Sequence, residues 1–214
     1  MYLRSTYWMR IRRFIFHITF QKTAYNIKAT GFIDWTNELF FYMIDLILLP
    51  EIYENIVSIF KSDYRFLSEE EKKITRKYFG DSIKVDFVRI NSQMSKRIGR
   101  KVYAYVTLNT INYNQDITKP IFLHEMVHIW QYQRFGSMYI YRALKAQYSN
   151  EKYDYGGLEK LYSAMINHRQ FIDFNFEQQG AIVEDYVRLS EHPDSFRSPL
   201  VKASYEYYIS QLLY

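Results

Sequence analysis

From Phe122 to Trp130 the apolar residues fall into two stripes at helical spacing, Leu123, Val127 and Trp130 on one and Phe122, Met126 and Ile129 on the other. A narrow polar strip remains, holding His124, His128 and Gln131, so this helix is expected to be buried on most sides. Pro120 suits its first turn, Thr118 or Lys119 lies just outside it, and Gly136 is the first breaker downstream. A second helix is expected within Phe174 to about Leu189. Upstream, Val102, Ala104, Val106 and Leu108 alternate with Tyr103, Tyr105 and Thr107, which is the period of a strand. The apolar run from Ile83 to Ile90 is expected to be its partner, and an extended peptide could add to an exposed edge of such a sheet. Ser68-Glu69-Glu70-Glu71 reads as a capping box opening a helix that ends near Gly80. Tyr139 to Tyr148 reads as a short helix, Asn150 to Gly157 as a Tyr-rich loop over a cleft, and Pro199 to Tyr214 as a terminal amphipathic helix.

The first 66 residues differ in character. Leu39 to Leu49 is strongly apolar but carries Asp45 and stops at Pro50-Glu51, short of the roughly 20 residues that span a bilayer. A buried helix is expected there, followed by another from Glu51 to Phe60. Phe14 to Phe20 is apolar but contains His17 and is too short for a signal-peptide core, so secretion by that route is not expected. Residues 1–40 contain Arg4, Arg10, Arg12, Arg13, Lys22 and Lys28 against Asp34 and Glu38, which accounts for most of the formal net charge of +5. This segment either lies on an anionic membrane surface or acidic partner, or packs as an arm whose Arg side chains are solvated. No nucleic-acid recognition motif accompanies the charge, so nucleic acid is not expected as a partner. The division expected is a basic, aromatic, helical N-terminal extension over 1–66 and a main domain over 67–214. With 214 residues, 48% of them hydrophobic, the chain can bury one sizeable core. The absence of Cys removes disulfides, thiolate metal sites and Cys nucleophiles, and fits a reducing compartment.

The polar strip carries the chemistry. His124-Glu125-Met126-Val127-His128 is an H-E-x-x-H run, and on a helix residues four apart share a face. Both imidazoles can therefore reach one metal ion, with Glu125 beside it. A catalytic zinc needs a third protein ligand and an open position. In the second helix Glu177, Ala181 and Glu184 share one face, with Gly180 next to it, and small residues there would let two helices approach closely. Glu177 is the first candidate, Glu184 the next, with His168 and His192 behind them. Zinc held in this way lowers the pKa of its water toward about 7, and Glu125 can take the proton as that water attacks a polarised carbonyl. Tyr153, Tyr155 and His168, between the ligand segments, are candidate donors to the oxyanion.

These residues do not stand alone. Leu67 to Glu71, Tyr78-Phe79-Gly80-Asp81-Ser82-Ile83, Val88-Arg89-Ile90, LHEMVHIWQYQ from Leu123 to Gln133, and FNFEQQGAIVEDY from Phe174 to Tyr186 run in order over about residues 67 to 190. Together they resemble the Vgr-related, DUF4157-like zinc metallopeptidases of bacteria, which are associated with type VI secretion loci and related contractile injection systems. The resemblance implies a zincin-like fold of the gluzincin kind, mainly helical α+β with a small sheet before the H-E-x-x-H helix. It implies Zn2+ held by His124, His128 and Glu177, with Glu125 as general base. One departure is visible: many gluzincins carry an acidic residue four positions after the ligand Glu, and here that position is Ala181. Support for a ligand His must then come from elsewhere, with Glu184 or Asp185 as candidates. The function expected is zinc-dependent peptide-bond hydrolysis of a protein or peptide substrate, by a secretion-system effector or accessory protein. Such a chain would be cytoplasmic, or exported without a signal peptide through the contractile apparatus. The alternatives are a non-catalytic zinc-binding adaptor or cargo of that apparatus, and a helical protein that binds a membrane surface or partner.

Overall fold

The computed structural model describes residues 2–21, 29–60, 64–92, 104–114, 116–192, 196 and 198–213, and it is mainly helical α+β with one small sheet. Three helices come first, α1 (Tyr2–Ile18), α2 (Phe32–Leu46) and α3 (Leu49–Phe60). Strand β1 (Tyr64–Phe66) leads into α4 (Glu69–Phe79), and β2 (Arg89–Asn91), β3 (Ala104–Thr107) and β4 (Thr110–Tyr113) follow. The remaining helices are α5 (Lys119–Phe135), α6 (Met138–Gln147), α7 (Gly157–Ile166), α8 (Phe176–Glu191) and α9 (Pro199–Ile209).

Local chemistry sets the helix starts. The Ser68 hydroxyl accepts from the Glu71 amide at 3.2 Å while the Glu71 carboxylate accepts from the Ser68 amide at 2.7 Å, the expected capping box of α4. Asn175 and Gln178 form a second capping box at the start of α8. Pro120 sits in the first turn of α5, where no amide hydrogen is needed. The helix stops at Gly136, whose φ of 76° suits a residue without a Cβ.

The sheet order is β1-β2-β4-β3, with β1–β2 and β3–β4 antiparallel and β2–β4 parallel. This corrects the expected pairing. Ala104 to Thr107 pairs with β4, reached through a two-residue turn at Leu108 and Asn109, and not with the run from Ile83 to Ile90. Only Arg89 to Asn91 is extended there, next to β4, while Val85–Phe87 is a single 3-10 turn. The central strand β4 is buried along Thr110, Ile111 and Asn112 and has no alternation to read. Val102 and Tyr103 lie outside the described residues. Val88, Ile90, Leu108 and Ile111 put the sheet into one core with Phe122, Leu123 and Met126 of α5.

The stretch expected to be a helical extension ends in β1, an edge of that sheet, so 64–66 are extended rather than helical. Its helices also depart from the expected burial. In α2 the buried side chains are Asp34, Glu38, Tyr42 and Asp45, whereas Ile47 just beyond it is 65% exposed and Phe32 79%. The Arg residues are not all solvated either: Arg10 and Arg13 are buried, and Arg10 donates to the Asp45 carbonyl and pairs with Glu51. Asp45 accepts from the Ser137 amide at 3.0 Å and from its hydroxyl at 2.6 Å, at the start of α6. Arg142 reaches Glu38 and Lys145 reaches Asp34, so acids on α2 meet cations on α6. Charge pairing thus orients α2, and Phe32, Ile33, Phe40 and Met43 are left outside. Among the described residues no helix is long and apolar enough to cross a membrane.

Candidate metal centre

Helices α5 and α8 cross closely, and the reason is visible at Gly180. A Cβ built there would lie 2.6 Å from both Cε1 and Nε2 of His124, closer than side chains ever pack. Glycine at this position lets the backbone of α8 lie against the imidazole.

The close crossing brings three expected residues together. His124 Nε2 is 3.6 Å and His128 Nε2 3.5 Å from Glu177 Oε2, and the donor atoms of the three residues all lie within 4.8 Å of one another. Tetrahedral ligands at about 2.1 Å from a zinc ion stand about 3.4 Å apart, so the spacing suits such an ion. The residues are buried, His124 at 7% exposed, Glu125 and His128 at 6% and Glu177 at 1%. Buried carboxylate oxygens normally have partners, yet Glu177 Oε1 and Glu125 Oε2 have no hydrogen bond. Two unpaired carboxyl oxygens beside converging imidazoles are a donor set that fits a divalent cation.

Each imidazole is oriented by a bond at its other nitrogen. His124 Nδ1 lies 3.0 Å from Glu184 Oε2, and the other Glu184 oxygen accepts from Arg188. Glu184 thus takes up the supporting position that Ala181 leaves unfilled. His128 Nδ1 lies 2.8 Å from Gln131 Oε1, whose amide donates to the Phe176 carbonyl and to Gln179 Oε1. Gln179 in turn donates to the Phe174 carbonyl. With Nδ1–H donated to these acceptors, it is Nε2 of each ring that faces Glu177, and loss of its proton would leave the tautomer a ligand needs. The Gln131–Gln179 link was not anticipated. Its sequence signal is a Gln in the polar strip three residues after His128, facing a Gln pair in α8.

The charges couple tightly. Burial alone would lower the His124 pKa, but Glu177 and Glu184 hold it up to about 10. His128 is likewise raised, burial being outweighed by Glu177. Burial pushes the Glu125 carboxyl up, against the pull of both imidazoles. The bond from His124 holds Glu184 down to about 2.

Of the other candidates, Tyr153 is at the site. Its ring centroid is 5.9 Å from that of His124, it is 47% exposed, and burial together with Glu177, Glu125 and Glu184 pushes its hydroxyl up to about 12. Tyr155 instead donates to Asp185 at 2.5 Å and shares a bond with Tyr205, so that pair lies in a separate cluster. His168 is exposed in a turn after α7, and His192 is exposed at the end of α8.

No protein-family model matches the chain. Over 137 residues, 57% of the chain, it is 26% identical to the type VI secretion system spike protein VgrG2b of Pseudomonas aeruginosa. The match spans 13% of that relative's length. Among solved structures, the effector domain of Pseudomonas aeruginosa VgrG2b aligns with 70% of this chain and 84% of its own, at 23% identity and a TM-score of 0.41. The Vgr part of the resemblance read from the sequence thus meets a specific relative, while its DUF4157-like part has no counterpart in these comparisons.

Proposed function

We propose that the chain is a zinc-dependent metallopeptidase with a zincin-like fold of the gluzincin kind, acting as a type VI secretion effector or a protein associated with that apparatus. The observation that carries the metal reading is the convergence of His124 Nε2 and His128 Nε2 on Glu177 Oε2 at 3.6 and 3.5 Å. The secretion reading is supported by the likeness to VgrG2b, and delivery through the apparatus accords with it.

When bound, zinc supplies a Lewis acid for the carbonyl and a water whose pKa falls toward about 7. Glu184 and Gln131 hold the imidazoles with their Nε2 atoms inward. Glu125, buried and without a partner at Oε2, accepts the proton of the attacking water and passes it to the leaving amine. Tyr153, kept protonated, donates to the oxyanion as it develops.

Elemental analysis of wild type, His128→Ala and Glu177→Ala tests the metal, with one zinc per chain expected in wild type and none in either variant. Wild type that takes up no zinc on dialysis against it would sink the proposal. Glu125→Gln should keep zinc and lose hydrolysis of a peptide library. One observation favours the alternative of a non-catalytic zinc-binding adaptor or cargo: none of the four central residues is more than 7% exposed. Under that reading Glu125→Gln leaves secretion-dependent function intact.

A further inference from the structure

We propose that α1 and α2 form a docking face for an anionic lipid bilayer, lying in its plane through the side chains that the charge pairing beneath them turns outward. Phe32, Ile33, Phe40, Met43 and Ile47 are each at least half exposed along the outer side of α2 and its end. Trp8, Ile15 and Ile18 continue the surface on α1, which packs against α2. A contiguous apolar face of this kind on a folded chain marks an interaction site. The ordinary arrangement of an amphipathic helix is reversed here, since Asp34, Glu38 and Asp45 are the residues facing the protein.

The occupant is indicated by charge. Among the described residues Arg12 is the exposed cation of α1, and the carboxylates that α1 and α2 carry are the buried Asp34, Glu38 and Asp45. Arg10 and Arg13 are buried, and among the described residues α1 and α2 expose no carboxylate. Arg12 is exposed one turn from Trp8 and from Ile15, on the same side of α1. A two-fold contact between copies would bring this acid-free, cation-bearing surface against itself, with no opposite charge to meet. An anionic headgroup layer supplies that charge, and the acyl boundary takes up the Phe, Ile and Trp side chains. Neither helix is long and apolar enough to cross a membrane, so the contact proposed is peripheral.

The test is co-sedimentation of the full chain with vesicles of phosphatidylglycerol and phosphatidylethanolamine, against vesicles of phosphatidylcholine alone. Wild type should pellet with the anionic vesicles only, and added salt should release it. Phe32→Ser, Phe40→Ser and Ile47→Ser combined should weaken binding by about tenfold or more. Arg12→Glu, which removes no buried contact, gives an independent reading and should weaken it by about threefold or more. Wild type remaining in the supernatant, equal binding to phosphatidylcholine, or undiminished binding by both variants overturns the proposal. So does a dimer of the wild type in lipid-free sedimentation equilibrium that the triple variant converts to monomer, since the face would then join two copies.

Discussion

Gly180→Ala should cost metal affinity far more than it costs folding. The added methyl would meet Cε1 and Nε2 of His124 at 2.6 Å. Reaching an ordinary contact of about 3.5 Å requires the ring or the helix to retreat by about 0.9 Å. Metal–ligand bonds tolerate about 0.2 Å, so His124 can no longer share an ion with His128 and Glu177 in the same geometry. For the metal-free fold two effects oppose each other: overpacking costs about 1–3 kcal/mol, and replacing a mid-helix Gly by Ala returns about 1 kcal/mol. The net loss is then about 0–2 kcal/mol, which leaves the protein folded. Zinc affinity, in contrast, should fall by about 100-fold or more, beyond the 10–100-fold typical of disturbing an outer-shell partner. Competition with a chromophoric chelator measures the affinity, and urea unfolding of the chelator-treated protein measures the fold. Ala181→Gly, one position along, is the control and should lose only about 1 kcal/mol of stability with zinc affinity unchanged. Wild-type zinc affinity in Gly180→Ala would refute the steric argument.

Removing the support behind His124 by Glu184→Ala should lower zinc affinity by about 10–100-fold in the same chelator competition, while an unchanged affinity would mean that Glu184 does not orient the ring. In the metal-free protein His124 titrates near 10 against 6.5 for a free imidazole, so its stabilising pairs are complete below about pH 6.5 and are lost as pH rises through 10. Glu184, held near 2 against 4.5, contributes fully above about pH 4.5 and loses that contribution as pH falls through 2. Thermal melts of chelated protein should therefore decline between pH 6.5 and 10, and saturating zinc should reverse the trend because it needs unprotonated imidazoles; a rising metal-free Tm over that range contradicts the assignment. Asp45→Ala leaves Arg13 buried without its counter-charge and strips the acceptor from Ser137, so urea unfolding should register a loss of about 3–5 kcal/mol, and a loss under 1 kcal/mol would show the cluster to be dispensable.

Features that depend on neighbours in sequence were legible. The capping box of α4, the Pro at the start of α5, the strand at Ala104 to Thr107 and the spacing of His124 and His128 all follow from rules acting within a few residues. Gly180 was readable because a Gly inside a good helix asks for a packing reason. The sheet order was not, because a parallel neighbour such as β2 for β4 is chosen by tertiary fit and leaves no turn signature. The outward apolar side of α2 was misread for a related reason. Hydropathy assigns Leu, Phe and Ile to the interior, but Asp34, Glu38 and Asp45 have cations from α1 and α6 to meet, and dense pairing outweighs that tendency. The support for His128 was half legible: Gln131 stands in the polar strip of α5, but no rule links it to Gln179 across 48 positions.

The pairing beneath α1 and α2 also has a history in time. Arg13 donates to the carbonyl of Gln133, 120 positions later, and Asp45 waits for Ser137, 92 positions later. At synthesis rates of about 5–20 residues per second, the first helices emerge roughly 5–20 s before their partners exist. Through that interval Arg10 already has Glu51 to meet, but Asp45 lacks Ser137, Glu38 lacks Arg142 and the apolar side is uncovered. Helices α1 and α2 are thus made well before the residues they dock on, and in that interval their uncovered sides are a natural target for a chaperone or a protease.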